Sequence, residues 1–389
     1  MDYDLTEEQK SLGEQMRHFC SEEIAPNVLA VDRSSNDEAT VIVKDNIKKL
    51  ARVGYLGLGH EKVYGGAEGH FLQWAVAGEE VATVCPATFL AAEVSSRLFG
   101  MILTFFGTTD QRKNNLPALI SGECVGSFEL AGLNATRLKT DWKKEQNGWY
   151  LSGEKNLMGN APFARTHMIV AKSSGQSEPG HEVKIFIVKR DAQGLTVGRP
   201  LDKIGFRGFP VADVYLEKCE VSDNAIVGTA GGGHEIMKCA ASLQSLVTAV
   251  SALGTARASM EEAIGYLKNR KGGGLSQSAS FKCADMMIMA DVSRLLIYQA
   301  AWAMDTRNPE GSILASGAKI FATDAANQIL NMVVELQGKD GCIVGSVSEK
   351  LSRDARFCAI CGGTSEVQKD FVGISVLNNF RKEADKKQV

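Results

Sequence analysis

Near its C-terminal end the chain reads Ile360-Cys361-Gly362-Gly363-Thr364-Ser365-Glu366-Val367-Gln368, which is a pair of glycines followed by a helix start. Ser365 and Gln368 have the spacing of a capping box, so a final helix is predicted to begin after Thr364. Because glycine has no ionisable side chain, Gly362 offers neither an acid nor a base at this turn.

The composition is that of a globular protein with a large core. The 389 residues are 44% hydrophobic and 23% charged, with a formal net charge of -3. This length suggests two or three domains, and the charge provides no basic surface for nucleic acid. No uninterrupted run of 18 apolar residues is present, and the start has no signal-peptide features. We therefore expect a cytoplasmic protein with no nucleic-acid partner and no membrane span.

Cysteine and histidine spacing gives no sign of a metal site. The nine cysteines are odd in number and scattered, which is typical of reduced thiols. Cys358 and Cys361 form a single C-x-x-C pair, and the six histidines lie far apart. Two buried thiols that happen to have this spacing explain the pair better than redox or metal chemistry does.

The chain divides into three regions of different pattern. Residues 1–118 are helical, beginning with a capping box at Thr6 and Gln9. Residues 119–228 contain short runs of valine and isoleucine between turn residues, which predict hairpins. Residues 229–389 carry long apolar helices rich in small residues. The predicted fold class is α+β multidomain, with an N-terminal helical domain, a central antiparallel β domain and a C-terminal four-helix bundle.

The order of several short motifs resembles the acyl-CoA dehydrogenase family along nearly the whole chain. In that family the C-terminal signature is Ile-Tyr-Glu-Gly-Thr-Ser-Glu-Ile-Gln, and its first glutamate removes a proton beside the thioester. Gly362 stands at the position of this glutamate, and Cys361 at that of the tyrosine. The other matching motifs are Tyr64-Gly65-Gly66, Phe106-Gly107-Thr108, Leu116-Pro117, Leu151-Ser152-Gly153-Glu154-Lys155, Lys203-x-Gly205, Arg270 and Arg353-Asp354-Ala355.

The resemblance implies FAD as cofactor, bound between the β domain and the bundle, with acyl-CoA on the other face of the flavin ring. The two segments that usually contact the ring are altered. The first begins at Phe128 and has lost both hydroxyl residues of the family pattern, and the second, 157–160, reads Leu-Met-Gly-Asn. Leu157 replaces a stacking tryptophan and Gly159 replaces a threonine. We expect Phe128, Leu157 and Gly159 at the flavin ring.

The adenine end of the implied cofactor site is altered as well. The family pattern Gly-Gly-x-Gly becomes Gly338-Lys339-Asp340-Gly341, and the Phe-Gly that follows the arginine at Arg270 becomes glycine. Thr364 and Glu366 are retained at positions that usually touch the flavin chain. Arg270, Gly338, Gly341, Thr364 and Glu366 are therefore the remaining predicted cofactor-binding residues.

Neither of the two usual positions of the catalytic base carries a carboxylate. Some family members place the base on another helix beside an arginine that binds CoA, and alignment puts Gln244 and Ser245 there. Together with Cys361, these two are the expected substrate-binding residues. Glu93, in an apolar run, is a candidate for a relocated base, because burial raises the pKa of a carboxylate towards neutrality. The alternative is an ion pair between Glu93 and Arg97 one helical turn away.

Two functions are compatible with this pattern, and enzymatic activity stays open between them. The first is a divergent flavoprotein acting on an acyl-CoA, by α,β-dehydrogenation or by a reaction such as decarboxylation that needs no base. Such an enzyme would pass electrons to an electron-transferring flavoprotein and form a homo-tetramer. The alternative is a non-catalytic subunit in a mixed tetramer with an active homologue. The simultaneous loss of base, flavin hydroxyls and CoA arginine favours the alternative, and the whole-chain resemblance favours the first.

Overall fold

A computed structural model describes residues 4–129, 138–145, 148–175, 182–229, 231–269 and 276–386, with side chains described as far as residue 378. The N-terminal part is helical, with a π-helical segment at Val94–Gly100. Its α-helices are α1 Glu7–Glu23, α2 Val28–Arg33, α3 Asn36–Arg52, α4 Phe71–Val84, α5 Pro86–Glu93, α6 Met101–Phe106 and α7 Thr109–Ile120. The predicted capping box at Thr6 and Gln9 is present at the start of α1.

The described residues of the central part form a seven-stranded sheet. Its strands are β1 Gly126–Glu129, β2 Thr140–Glu145, β3 Gly148–Gly159, β4 Thr166–Ser173, β5 Val183–Lys189, β6 Leu195–Val197 and β7 Val211–Val221. The order is β1-β4-β2-β3-β7-β6, with β5 paired to β4. Most pairs are antiparallel as predicted, but β1 and β2 each run parallel to β4. Turn signals report only on strands that are neighbours in the sequence, so they did not indicate these two pairs.

The C-terminal part is a bundle of long helices. These are α8 Gly233–Asn269, α9 Gln277–Asp305, α10 Gly311–Gln337, α11 Val347–Ile360 and α12 Ser365–Lys386. The shorter α11 was not predicted as a separate helix. The predicted boundary between residues 118 and 119 falls in the last turn of α7, and that between 228 and 229 falls in the loop before α8. The predicted three-part architecture is confirmed.

Close helix packing joins the N-terminal domain to the bundle. A Cβ atom on Gly254 of α8 would lie 2.5 Å from the backbone of Ala82 in α4, so only glycine permits this approach. Beside it, the carboxylate of Glu79 accepts hydrogen bonds from Arg257 at 2.8 Å and from Arg294 at 2.8 and 3.0 Å. A partly buried ionic cluster centred on Glu79 therefore holds α4 against α8 and α9.

Two helical segments are long and apolar enough to span a membrane, namely Pro86–Phe106 and Gly233–Asn269. In their most apolar windows 83% and 78% of the residues, respectively, are buried inside the protein. Core helices of globular proteins have this combination of apolar composition and burial.

Candidate functional site

The turn between α11 and α12 contains Gly362 and Gly363, both with left-handed backbone, at φ +70° and +90°. Side chains from α10 and from α12 itself fix this turn. The buried Lys319 of α10 donates a hydrogen bond to the Gly363 carbonyl oxygen. Gln368 of α12 donates from Nε2 to the Gly362 carbonyl oxygen at 3.1 Å. The turn is therefore held from both sides, in a conformation that L-residues with side chains rarely adopt.

The space where a side chain of residue 362 would begin is already occupied. A Cβ atom on Gly362 would lie 2.9 Å from Cγ of Gln244 and 3.1 Å from Oγ1 of Thr248. Both residues belong to α8 and are buried. A carboxylate-bearing side chain at residue 362 therefore requires these two α8 side chains to move.

The fold brings the predicted substrate-binding residues together at this turn. Gln244 contacts the position of Gly362, and Ser245 donates from Oγ to Oε1 of Gln368 at 3.3 Å. Thr248 was not predicted, although it lies four residues after Gln244 on the same helical face, and this spacing was the available signal. All of these polar groups lie on α8 and α12 and pack the turn itself.

Cys361 and the neighbouring Cys358 are buried thiols. Burial raises the pKa of Cys361 to about 11, although Lys319 and the Thr248 hydroxyl act in the opposite direction. Burial also raises the pKa of Cys358 far above that of a free thiol. Protonated thiols are poor nucleophiles, so neither group is placed for nucleophilic attack near pH 7. The described residues contain no group of three or more potential metal ligands.

Glu93, the candidate for a relocated base, lies inside the N-terminal domain with no exposed surface. Its carboxylate accepts hydrogen bonds from the Tyr55 hydroxyl at 2.7 Å and from Trp74 Nε1 at 2.9 Å. Nε of Arg97 lies 3.3 Å from the same carboxylate. Burial raises the pKa of Glu93, and the charge of Arg97 opposes this effect. Since both oxygens have partners, the geometry favours the ion pair over a base.

The two segments predicted to contact a flavin ring meet in the sheet. Phe128 of β1 pairs with Gly159 of β3, and the Phe128 side chain is buried in the core. Leu157 is half exposed at φ +56°, and its N–H donates to Asp213 at 2.9 Å. The side chains at these three positions contain no hydrogen-bonding atoms, so they cannot replace the lost hydroxyls.

The predicted adenine-end residues are partly described. Gly338 ends α10 at φ +61°, and a Cβ on Gly341 would lie 2.9 Å from Oε1 of Gln337. The hydroxyl of Thr364 is hydrogen-bonded to Glu366, and this bond is the main cause of the lowered pKa of the Glu366 carboxyl. Arg270 lies outside the described residues.

Comparison with known proteins finds one family along nearly the whole chain. The N-terminal, middle and C-terminal domain models of acyl-CoA dehydrogenase match residues 6–123, 129–219 and 231–377. The chain belongs to the acyl-CoA dehydrogenase family. It is 31% identical to a probable acyl-CoA dehydrogenase of Bacillus subtilis, over 97% of this chain and 100% of the relative.

Two further relatives extend this comparison within the acyl-CoA dehydrogenase family. A 3-(aryl)acrylate reductase of Clostridium sporogenes is 30% identical, over 96% of this chain and 99% of its own length. The solved structure of butyryl-CoA dehydrogenase from Megasphaera elsdenii superposes with a TM-score of 0.88 at 27% identity, covering 97% of this chain and 100% of that one. The resemblance drawn from the motifs is confirmed.

Members of the acyl-CoA dehydrogenase family are FAD-binding flavoproteins. In this chain the three residues predicted to lie at the flavin ring, Phe128, Leu157 and Gly159, offer no polar side-chain atoms, so their side chains do not fit the ring's hydrogen-bonding needs. Thr364 and Glu366, which the family places along the flavin chain, are present and pair with each other. Among the predicted cofactor-binding residues, Thr364 and Glu366 thus match the family pattern, whereas the three ring positions carry no polar side chain.

Proposed function

We propose that this chain is a non-catalytic subunit of the acyl-CoA dehydrogenase family, assembled with an active homologous chain. The observation that carries this proposal is the contact of the Gly362 position with Gln244 and Thr248. A chain under selection for the usual proton abstraction would keep that space free for a glutamate. Here Gln244 and Ser245 pack the turn, and we infer that they do not bind CoA.

The surroundings of Glu93 support the same proposal. The Glu93 carboxylate is enclosed by Tyr55, Trp74 and Arg97, all of them buried. A base must reach the proton that it removes, within hydrogen-bond distance of the substrate carbon or through one water. A carboxylate with three partners and no exposed surface fits a role in stability.

An apolar stripe on α9 supports assembly with another helical chain. Phe281, Ile288, Leu295 and Trp302 follow one another at intervals of seven residues, with 61%, 61%, 53% and 40% of their surfaces exposed. This repeat from Phe281 to Trp302 is the pattern of a helix face that packs against another long helix. A homologous chain presents a bundle with helices of matching length, so we propose such a chain as the occupant.

The retained Thr364 and Glu366 suit a shared cofactor. In this proposal they support FAD in the mixed tetramer, while the active homologue supplies the flavin-ring contacts and the base.

The second candidate function is a flavoprotein that acts on an acyl-CoA without a base at residue 362 and passes electrons to an electron-transferring flavoprotein. The identity to catalytic relatives over the whole chain favours that candidate.

The two candidates differ in colour, composition and activity. The tagged chain is isolated from its native host and, separately, after expression alone. We expect a homologous second chain to co-purify from the host, and the chain expressed alone to be colourless and to take up no added FAD. A yellow homo-oligomer whose flavin is reduced by an acyl-CoA would refute the proposal and establish the second candidate.

A matched pair of variants tests the α9 stripe. Leu295→Asp places a charge in the middle of the stripe and is expected to abolish co-purification of the second chain. Val344→Asp places the same charge on a residue that is 88% exposed, in the loop before α11, and is expected to leave co-purification unchanged. Equal recovery with both variants would show that the stripe is not the interface.

A further inference from the structure

A cleft of about 1500 Å³ lies between α7 and the β domain. Its walls are α7, residues of the strands β2, β3, β4 and β5, and the loop at residues 222–228. None of the residues discussed above at the α11–α12 turn, the flavin segments or Glu93 lines it. The cleft is therefore separate from the candidate functional site, and nothing in the family comparison assigns it a role.

Positive charge predominates in the lining of the cleft. Three carboxylates face it, from Asp110, Asp191 and Asp223. Five cationic side chains oppose them, an excess of two positive charges in a chain whose formal net charge is -3. These cations are Lys144, Arg165, Lys184, Lys189 and Arg190. The cleft thus attracts anions although the chain as a whole is acidic.

Several of these cations have no carboxylate partner among the described residues. Lys144 lies 3.8 Å from Asp223, but within the described parts of the chain Arg165, Lys184 and Lys189 form no ion pair. The ammonium group of Lys184 instead lies over the indole rings of Trp142 and Trp149, at 5.4 and 5.3 Å from their centres. Burial and the nearby Lys144 lower its pKa. An added anion would relieve the repulsion between these lysines.

The walls of the cleft are tied together before any ligand arrives. Nε2 of Gln111 in α7 donates to the carbonyl oxygens of Asn224 and Ile226 at 2.8 and 2.7 Å. Nε1 of Trp149 donates to Asp223 at 2.6 Å. These bonds clamp the loop at residues 222–228 to both α7 and the sheet. A ligand would therefore enter a preformed site and incur little ordering cost.

We propose that this cleft binds a small anion carrying two or more phosphate groups. A single carboxylate would neutralise only one of the cleft's five cations, whereas a diphosphate carries several negative charges spread over adjacent groups. The planar guanidinium of Arg165 and the ammonium groups of Lys184 and Lys189 are the donors that suit phosphate oxygens. The volume is sufficient for a free diphosphate or for the same group within a nucleotide.

Calorimetric titration of the full-length protein tests this proposal, with inorganic pyrophosphate and ADP as separate probes. We expect at least one of them to bind with an affinity that weakens as salt is added. Tighter binding of ADP would identify the nucleotide as the source of the diphosphate, and equal binding would identify the diphosphate alone. Absence of binding by both probes would overturn the proposal.

Single substitutions distinguish specific binding in the cleft from non-specific attraction to positive charge on the protein surface. Lys184→Gln and Arg165→Gln should each weaken binding by about tenfold or more, because each removes a charged contact with phosphate. Lys268→Gln, which removes an exposed lysine at the end of α8, should leave binding unchanged. Thermal melting of each variant checks that it is folded. Equal weakening by all three substitutions, or equally tight binding of a polyglutamate peptide, would contradict the proposal.

Discussion

Substitution of Gly362 by alanine measures how firmly the position of the family's base is closed. The added Cβ would lie 2.9 Å from Gln244 and 3.1 Å from Thr248, at a backbone φ of +70°. The left-handed backbone costs an alanine about 1 kcal/mol, and overpacking of a buried site adds about 1–3 kcal/mol. We therefore expect Gly362→Ala to destabilise the protein by about 2–4 kcal/mol, measured as a lower Tm and a lower midpoint of urea denaturation.

A double-mutant cycle shows how much of the destabilisation of Gly362→Ala comes from the contact with Gln244. Adding Gln244→Ala to the Gly362→Ala variant should restore at least about 1 kcal/mol of its free energy of unfolding, because the shorter side chain no longer collides with the added Cβ. Gly54→Ala is the matched control, since Gly54 has φ +78° and no atom within 4 Å of an added Cβ, so that variant carries the backbone cost alone. If Gly362→Ala were no more destabilising than Gly54→Ala, or if Gln244→Ala restored nothing, the position would be open and the central argument against a base there would fail.

Three further substitutions test buried charges, each followed by thermal melting. Glu93→Gln should destabilise the protein by roughly 3 kcal/mol, because Arg97 remains buried without its counter-charge; a stable variant would contradict the ion pair. Glu79→Gln should lower the free energy of unfolding by roughly 2–4 kcal/mol, because it weakens the hydrogen bonds from Arg257 and Arg294. An unchanged Tm would show that the ionic cluster around Glu79 is not needed for stability. Lys319 has a pKa lowered to about 8 by burial, against the opposing effect of nearby thiols. Between about pH 8 and 10.5 the unfolded chain binds a proton at Lys319 that the folded chain does not. The free energy of unfolding of the wild type should therefore rise by roughly 1–3 kcal/mol relative to that of Lys319→Met as the pH increases through this range. A difference between the two proteins that does not change with pH would refute the lowered pKa.

The sequence was sufficient for the architecture and for locating the altered motifs. Helix caps such as Thr6 with Gln9, and the long runs of small and apolar residues in α8 to α10, are local patterns that the structure follows. Pairing of β4 with β1 and β2 in parallel was not predicted, because it depends on contacts between strands distant in the chain. The sequence also placed Gly362 and Gln244 at two separate vacant positions for a base, with no means of relating them.

The amino-acid sequence alone determined which chemical groups are present: a glycine in place of the usual base, no hydroxyls in the ring-contact segments, and an unchanged Thr364 and Glu366. Only the tertiary structure decided that Gln244, 118 positions earlier, fills the volume beside Gly362, since α8 and the turn after α11 meet only through packing. It also decided that Glu93 is enclosed and that five cationic side chains converge on a cleft beside α7. The identity of a side chain is local, whereas its exposure and its partners depend on what the rest of the folded chain brings against it.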